Sequence, residues 1–417
     1  MTTPFYQTSR LSRIALGHIL TTMNRQKYAL LMIVIQIGLT LAVLSNGIFI
    51  ISQRLDLIQR PSGIDEINTF VLTSSGFTSD FNPIDSIQTD LAQLRQMPNI
   101  VNAVSTYSFP YGGGSEWDEL QVMAGDNQNM IPAARYNLDD QGIQALGLTL
   151  IAGENFNPND IRWQNESENT FPSVVIITSS VAHNLFNTHE WSKVIGQTIF
   201  VNKIYPVIIK GIVKQLQAPW DPLGNINNSV IYPRVVTRNS SRYFIRARPG
   251  QLESSIDQVV EYLASSNQQR MIRKVQTLKS IKKQVYAPEI AAISILTVVT
   301  FSLVFIASLG IAGTANLNVR KRYKQIGIRR ALGANKIDIL QQSLVENVLQ
   351  TTFGVVLGCG LSLGLNIFLV NQYALTKLPL FYLFVATTLI YLISILAALK
   401  PTLKAMNISP SEATKSD

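Results

Sequence analysis

One cysteine, Cys359, is the entire thiol inventory of this 417-residue chain, and it lies inside a long apolar run. A disulfide framework is therefore excluded, and a soluble portion of about 230 residues buries enough core without one. Histidine is nearly as scarce. His18, His183 and His189 are too few and too scattered for a metal site; His183 and His189 flank an expected helix and read as solvated surface groups. No G-x-x-x-x-G-K-[ST] occurs, so these residues cradle no nucleotide through a P-loop. No H-E-x-x-H and no G-x-S-x-G elbow occur either. The centres of the apolar runs carry no charge, which argues against a proton- or sodium-coupled carrier. The expected protein is not an enzyme and binds no cofactor or metal directly.

Long hydrophobic runs are what the chain does have. Tyr28–Ile51, Ile290–Ala315, Asn347–Val370 and Leu378–Leu399 are each free of charge and long enough to cross about 30 Å of hydrocarbon as a helix. The first exits through S-N-G-I-F-I-I-S-Q-R-L, without a small-x-small cleavage site, and reads as a retained anchor. The implied fold class is a membrane protein of four transmembrane α-helices in a 1+3 arrangement. Spans at 28–51, 290–316, 344–370 and 378–399 surround a large α+β extracytoplasmic domain at 52–289, inserted between spans 1 and 2. A short outer loop (371–377) and a tail (400–417) complete it.

A net charge of +9 suggests nucleic acid until it is divided along the chain. Residues 1–27 hold four basic residues and no acid; residues 317–343 hold seven basic residues and Asp338 alone; residues 52–289 hold 20 basic and 22 acidic residues. The excess is thus a bias of Lys and Arg toward one side of the membrane, the cytoplasmic side, with both termini inside and the large domain outside. The implied location is the bacterial inner membrane, and no nucleic-acid partner is expected.

Ahead of the first span, Leu11, Ile14, Ala15, Ile19 and Met23 recur at helical spacing among arginines, either as an amphipathic helix on the membrane surface or as a disordered basic tail. In the outer domain, Ile84–Met97 after Pro83, Ser179–Phe186 and Leu252–Leu263 read as helices. Val101–Phe109, Val174–Ile177, Val230–Tyr232 and Tyr243–Arg246 read as strands, and Thr198–Val201 with Val207–Val213 flank Asn202-Lys203 as a hairpin. Lys274–Tyr286 is a polar stalk, and Lys274–Asn316 is long enough to be one continuous helix. Three N-x-S/T matches, at Asn165, Asn227 and Asn239, carry little information. In the third span, Gly354-x-x-x-Gly358 and Gly360-x-x-x-Gly364 point to roughly opposite faces, one suited to a neighbouring span and the other to a partner subunit. Glu346 is the acid nearest a span, and an interfacial carboxylate paired with a basic residue of the loop is its simplest reading.

The loop Asn316–Gln342 contains Y-K-Q-I-G-I-R-R-A-L-G (Tyr323–Gly333), continued by Ala334-Asn335-Lys336 and, further on, Glu346. This segment resembles the R-E-I-G-I-R-R-A-L-G-A signature of the FtsX-like/MacB permease family. The outer domain is similar to that family's periplasmic core domain at Gly153-Glu154-Asn155-Phe156, Val174–Ile177 with Ala182, Leu185 and Phe186, Ile195–Ile199 and Val207–Val213. The ending Pro401…Ala405…Ser409-Pro410-Ser411-Glu412-Ala413 resembles the family's P-x-x-x-A…P-x-E-A.

The resemblance implies a permease subunit that works as a homodimer or with a related permease, beside a separate ABC-type ATPase and in some cases a periplasmic adaptor. ATP and Mg would act through that partner. Mechanotransmission, with export or extraction of an amphiphilic compound, peptide or lipoprotein, is the implied output. The alternative is a regulatory adaptor that passes ATPase motion to a cell-wall hydrolase. Gly327, Ile328, Arg329, Arg330, Ala331, Leu332, Gly333 and Ala334 match the motif and become the ATPase-coupling candidates, although arginines there also suit anionic lipid headgroups. Gln325 stands where the family usually has Glu, so any ion pair made by that Glu is missing.

Overall fold

The computed structural model describes residues 27–113, 116–125, 129–165, 170–219, 224–333, 335–373 and 376–406. The expected N-terminal helix, Ala334 and the P-x-E-A ending lie outside the described residues. The chain divides into a membrane unit (residues 1–59 and 288–417) and an outer unit (60–287).

Helix α1 (Lys27–Gln59) opens the membrane unit. The outer unit follows with β1 (Thr69–Gly76), α2 (Pro83–Leu94), β2 (Ile100–Ser105), β3 (Trp117–Gln121), β4 (Ile131–Leu138), α3 (Gly142–Leu146), β5 (Leu150–Gly153) and β6 (Arg162–Asn165). It continues through β7 (Val174–Thr178), α4 (Ser179–Phe186), β8 (Thr198–Val201), β9 (Tyr205–Val213), β10 (Ser229–Thr237), β11 (Ser240–Ala247), α5 (Leu252–Ser266), β12 (Arg270–Thr277) and α6 (Leu278–Val285). The membrane unit resumes with α7 (Ala287–Lys321), α8 (Tyr323–Ala331), α9 (Lys336–Tyr373) and α10 (Leu380–Met406).

Two sheets organise the outer unit. The first is antiparallel, in the order β12-β1-β11-β2. Helix α2 starts where Asn82 accepts hydrogen bonds from the Ile84 and Asp85 amides and Pro83 presets the first turn. Its Ile87, Leu91 and Leu94 join Val259 and Leu263 of α5 against Phe70, Leu72, Tyr243 and Ile245 of the sheet. Beneath that apolar layer is a buried polar knot. Asp90 pairs with Arg270 and accepts a hydrogen bond from the Tyr243 hydroxyl at 2.5 Å. Arg270 also donates to the Leu263 carbonyl at 3.0 Å and to the Ser266 hydroxyl at 2.7 Å. Burial, reinforced by the Asp90 charge, pushes the Tyr243 phenol well above its ordinary range.

The second sheet closes on itself. Strands β4, β3, β8, β9, β7 and β10 pair in that order, and β10 then pairs in parallel with β4 to complete a six-stranded ring. Alternate residues of these strands, among them Leu120, Val175, Ile177, Ile199, Val201, Val207, Ile209 and Val230, fill its core. The Asn202-Lys203 turn joins β8 to β9 with both residues at positive φ, 49° and 75°. That geometry matches the twist of paired strands. Gly153 ends β5 at φ 73°, where a Cβ would sit 2.2 Å from the Lys210 carbonyl; no other residue fits there.

The expected continuous helix from Lys274 to Asn316 does not form. Residues up to Thr277 belong to β12, and the Thr277 hydroxyl caps α6 by accepting from the Ser280 amide at 3.2 Å. Helix α6 ends at Val285, and Pro288, in the first turn of α7, lacks the N–H and the space that a helix running through this point requires.

The residues by which the chain enters and leaves the outer unit meet on one carboxylate. Glu66 accepts from the Ser62 hydroxyl at 2.6 Å, the Tyr111 hydroxyl at 2.7 Å and Lys282 Nζ at 2.8 Å. Burial alone would raise the Glu66 pKa, but the hydrogen bonds from Lys282, Ser62 and Tyr111 outweigh it and hold the carboxyl below its ordinary value. A carboxyl of this kind binds its proton less readily folded than unfolded. It contributes stability above an unfolded pKa of about 4.3 and loses that contribution as pH falls through the lower folded value. Thermal unfolding followed from pH 7 to pH 3 is expected to decline less steeply below that unfolded value in Glu66→Gln than in the native chain.

In the membrane unit, α1, α7, α9 and α10 are each long and apolar enough to cross a membrane. Helix α9 packs on α1 through one glycine pair: a Cβ at Gly354 would meet Ile37 at 2.6 Å, and one at Gly358 would meet Leu41 at 2.9 Å. A Cβ at Gly360 or Gly364 would meet nothing within 4 Å among the described residues, so this pair stays open. Short polar contacts add to this packing. Ser45 and Ser362 hydroxyls lie 2.6 Å apart between α1 and α9, and Asn347 donates to the Ser394 hydroxyl at 2.8 Å between α9 and α10. Each such contact contributes on the order of 0.6 kcal/mol in lipid. Helix α7 is different. Within the chain only 6% of its apolar segment is buried, and Ile295, Val298, Phe301, Phe305 and Leu309 face outward.

Candidate functional site at the basic helix

The coupling loop or helix expected at 317–343 is mostly helix. Helix α7 runs on to Lys321, Arg322 forms the joint, α8 follows, and α9 already begins at Lys336. Gly333, at φ 97°, reverses the chain after α8, a backbone state open to glycine at the end of a helix. Val319, Tyr323 and Ile326 anchor this region on Ile339 of α9 and Ala405 of α10. Spacing explains the anchoring, since residues 319, 323 and 326 fall on one helical face.

A polar stripe runs beside these anchors. Asn318, Arg322, Gln325 and Arg329 face Gln342, Ser343, Glu346, Asn347 and Gln350 of α9 across a cavity of about 80 Å³. The Arg322 guanidinium meets the Glu346 carboxylate with both forks, at 2.7 and 2.9 Å. The side chains are 21% and 9% exposed, so the pair is largely withdrawn from water. Arg329 donates to the Gln342 amide oxygen at 2.7 Å. Gln325 lines the same cavity, on the same wall as the arginine that holds Glu346.

The eight motif residues do not form one surface. Gly327 is buried against the bundle, and Arg329 turns toward α9. Ile328 and Leu332 face away from the anchors and are 56% and 83% exposed. Ala331 is exposed and Gly333 forms the turn; the Arg330 side chain and Ala334 lie outside the described residues. Sequence reasoning singled out the motif but missed Arg322 as the partner of Glu346, 24 positions away. The available signal was the i, i+4, i+7, i+11 spacing of Asn318, Arg322, Gln325 and Arg329, which marks one face of a helix. Chemically, the site offers a basic helix that is clamped on one side and shows two unpaired aliphatic side chains on the other. It is suited to gripping a macromolecular partner.

His183 and His189 do come together, their rings stacked 4.4 Å apart because Asn187 ends α4 in a left-handed conformation. They belong to the outer unit, whereas this site belongs to the membrane unit.

Two family models cover most of the chain: the MacB-like periplasmic core domain over residues 28–264 and the FtsX-like permease C-terminal model over residues 297–410. Among similar proteins, the macrolide export ATP-binding/permease protein MacB of Burkholderia lata is 26% identical over 87% of this chain and 50% of its own length. The protein of the same name from Chromobacterium violaceum is 25% identical over 64% of this chain and 41% of its own. The chain thus spans half or less of these relatives. The solved periplasmic region of MacB from Actinobacillus actinomycetemcomitans aligns over 55% of this chain and 97% of its own, at 16% identity and a TM-score of 0.34.

Proposed function

Because the chain belongs to the FtsX-like permeases that carry a MacB-like periplasmic core domain, we propose that it is the membrane subunit through which a separate ABC-type ATPase moves the outer unit. The single observation that carries this reading is the exposure of Ile328 on α8 and of Leu332 just past its end, in a segment rich in Lys and Arg that charge bias assigns to the cytoplasm. Bare aliphatic side chains rimmed by cations suit a partner with an apolar socket and an acidic rim. Lipid headgroups would use the cations and leave the aliphatics unexplained.

The proposed action is mechanical. ATP-driven closure of the partner displaces α8; the Arg322–Glu346 clamp passes the displacement to α9, and α7 carries it to the opposite end of its 35 residues. Partner ATP and Mg supply the energy, and no nucleotide chemistry is assigned to these residues. The open outward face of α7 supports pairing with a second copy or a related permease across the membrane. The relatives named above are macrolide exporters, and the corresponding cargo here is an amphiphilic compound, peptide or lipoprotein taken up on the periplasmic side of the inner membrane.

The test is co-purification of the ATPase from the native host, followed by its turnover in nanodiscs. Leu332→Glu with Ile328→Glu is expected to reduce recovery of the ATPase at least about tenfold, the effect of losing one to two buried contacts. Undiminished recovery would overturn the docking assignment. Turnover stimulated by a cell-wall hydrolase and by no amphiphile would replace transport with the regulatory role.

A further inference from the structure

The ring of the outer unit changes character along its length. Asp118 on β3, Arg135 and Asn137 on β4, and Tyr232 and Arg234 on β10 alternate with the opposite face and share the side occupied by Leu120, Ala133 and Val230. Asp118 is fully used. It takes Arg135 Nε at 2.7 Å, a second Arg135 nitrogen, the Tyr232 hydroxyl at 3.0 Å and Asn202 Nδ2 at 2.9 Å. Glu116 is also paired with Arg135. Both nearby acids thus form their ion pairs with Arg135 and reach Arg234 only through space.

Arg234 is left over. It is 5% exposed, and its Nε donates to the neutral Asn137 amide at 3.1 Å. No carboxylate among the described residues pairs with it. Among the described residues its two terminal nitrogens carry no hydrogen bond, and they are not among the atoms sealed in the core. A guanidinium withdrawn from water without an anion is costly. Burial, together with the neighbouring Arg135 cation, pulls the Arg234 pKa below its ordinary value against the opposing pull of Glu116, Tyr232 and Asp118. Arg234 also sits where β10 leaves β4, at Pro233–Leu138, and takes up β6, where its register partner is the exposed Arg162. Register partners on adjacent strands lie about 4.8 Å apart and face the same way. The two arginines thus occupy paired positions at one step of the sheet.

We propose that Arg234 and Arg162 form a binding site for a phosphate group on the outer unit, with Asn137 orienting the buried guanidinium. A carboxylate is filled by one fork. A tetrahedral phosphate has oxygens enough for both arginines and brings the charge that the pair lacks. The phosphate comes either as the free anion or as the headgroup of an amphiphile.

The experiment is calorimetric titration of the full chain in detergent micelles, at constant ionic strength in chloride, with inorganic phosphate and separately with a soluble short-chain phosphatidic acid. Saturable binding of either is expected. Equal affinities assign the site to the free anion, and tighter binding of the lipid assigns it to the headgroup. Arg234→Gln, which keeps an amide against Asn137, is expected to abolish binding while the near-ultraviolet circular dichroism is retained. Arg162→Gln, on an exposed side chain, is expected to weaken binding about tenfold and covers the case in which Arg234→Gln misfolds. Absence of saturable binding in the native chain, or unchanged affinity in Arg162→Gln, would overturn the assignment.

Discussion

Asp90→Ala is expected to destabilise the outer unit by about 3–5 kcal/mol, because it strands the Arg270 guanidinium without its anion. The Asp90 and Arg270 side chains are 3% and 1% exposed, so water cannot take the place of the lost carboxylate. The knot joins four elements, since Asp90 lies on α2, Tyr243 on β11 and Arg270 on β12, and Arg270 also reaches the end of α5. For a chain of this family, a loss of that size is a large part of the total stability. Replacing both charges, in Asp90→Leu with Arg270→Met, is expected to recover most of the loss, because an apolar pair of similar volume carries no desolvation cost. Unfolding of the single and double variants, followed by circular dichroism in denaturant, checks this. A double variant as unstable as Asp90→Ala would show that geometry, not the unpaired charge, sets the penalty.

Glu346→Ala and Arg322→Ala are expected to show a coupling energy of about 1–3 kcal/mol in a double-mutant cycle, less than a fully buried pair because Arg322 keeps partial contact with water. If the clamp carries motion as proposed, each single variant lowers partner ATPase turnover in the reconstituted complex by about tenfold, equivalent to about 1.4 kcal/mol. The reversed pair Arg322→Glu/Glu346→Arg is expected to restore part of that turnover, a rescue that a purely volumetric role would not produce. Gln325 shares the cavity with this pair. Gln325→Glu would place a second carboxylate beside Arg322 and compete with Glu346 for it.

Much of the local structure was legible without coordinates. The four apolar runs, the strand-to-helix step at Val174–Phe186 and the Asn202-Lys203 hairpin all follow from patterns within about ten residues, where hydrophobic period and turn chemistry act directly. The uneven division of charge along the chain is legible in the same way. The stalk was misread because the polar run after Lys274 looks helical, whereas its first residues complete a sheet edge through β1, some 200 positions earlier in the chain.

Partner choice across the sequence belongs to the tertiary structure. The family motif pointed to eight residues, but packing decided that Gly327 turns inward while Ile328 and Leu332 remain bare. The two glycine pairs look alike as text, and only the position of α1 separates the packed pair, Gly354 and Gly358, from the open one. The same holds for the charges. Arg135 and Arg234 are both arginines on inward-facing strand positions, yet one meets Asp118 and Glu116 and the other meets an amide. Apolar periodicity and turn chemistry are local and so are written in the sequence. The closure of the β4–β10 ring, the Arg322–Glu346 clamp and the unpaired Arg234 arise from contacts between distant segments, and those exist only once the chain has packed.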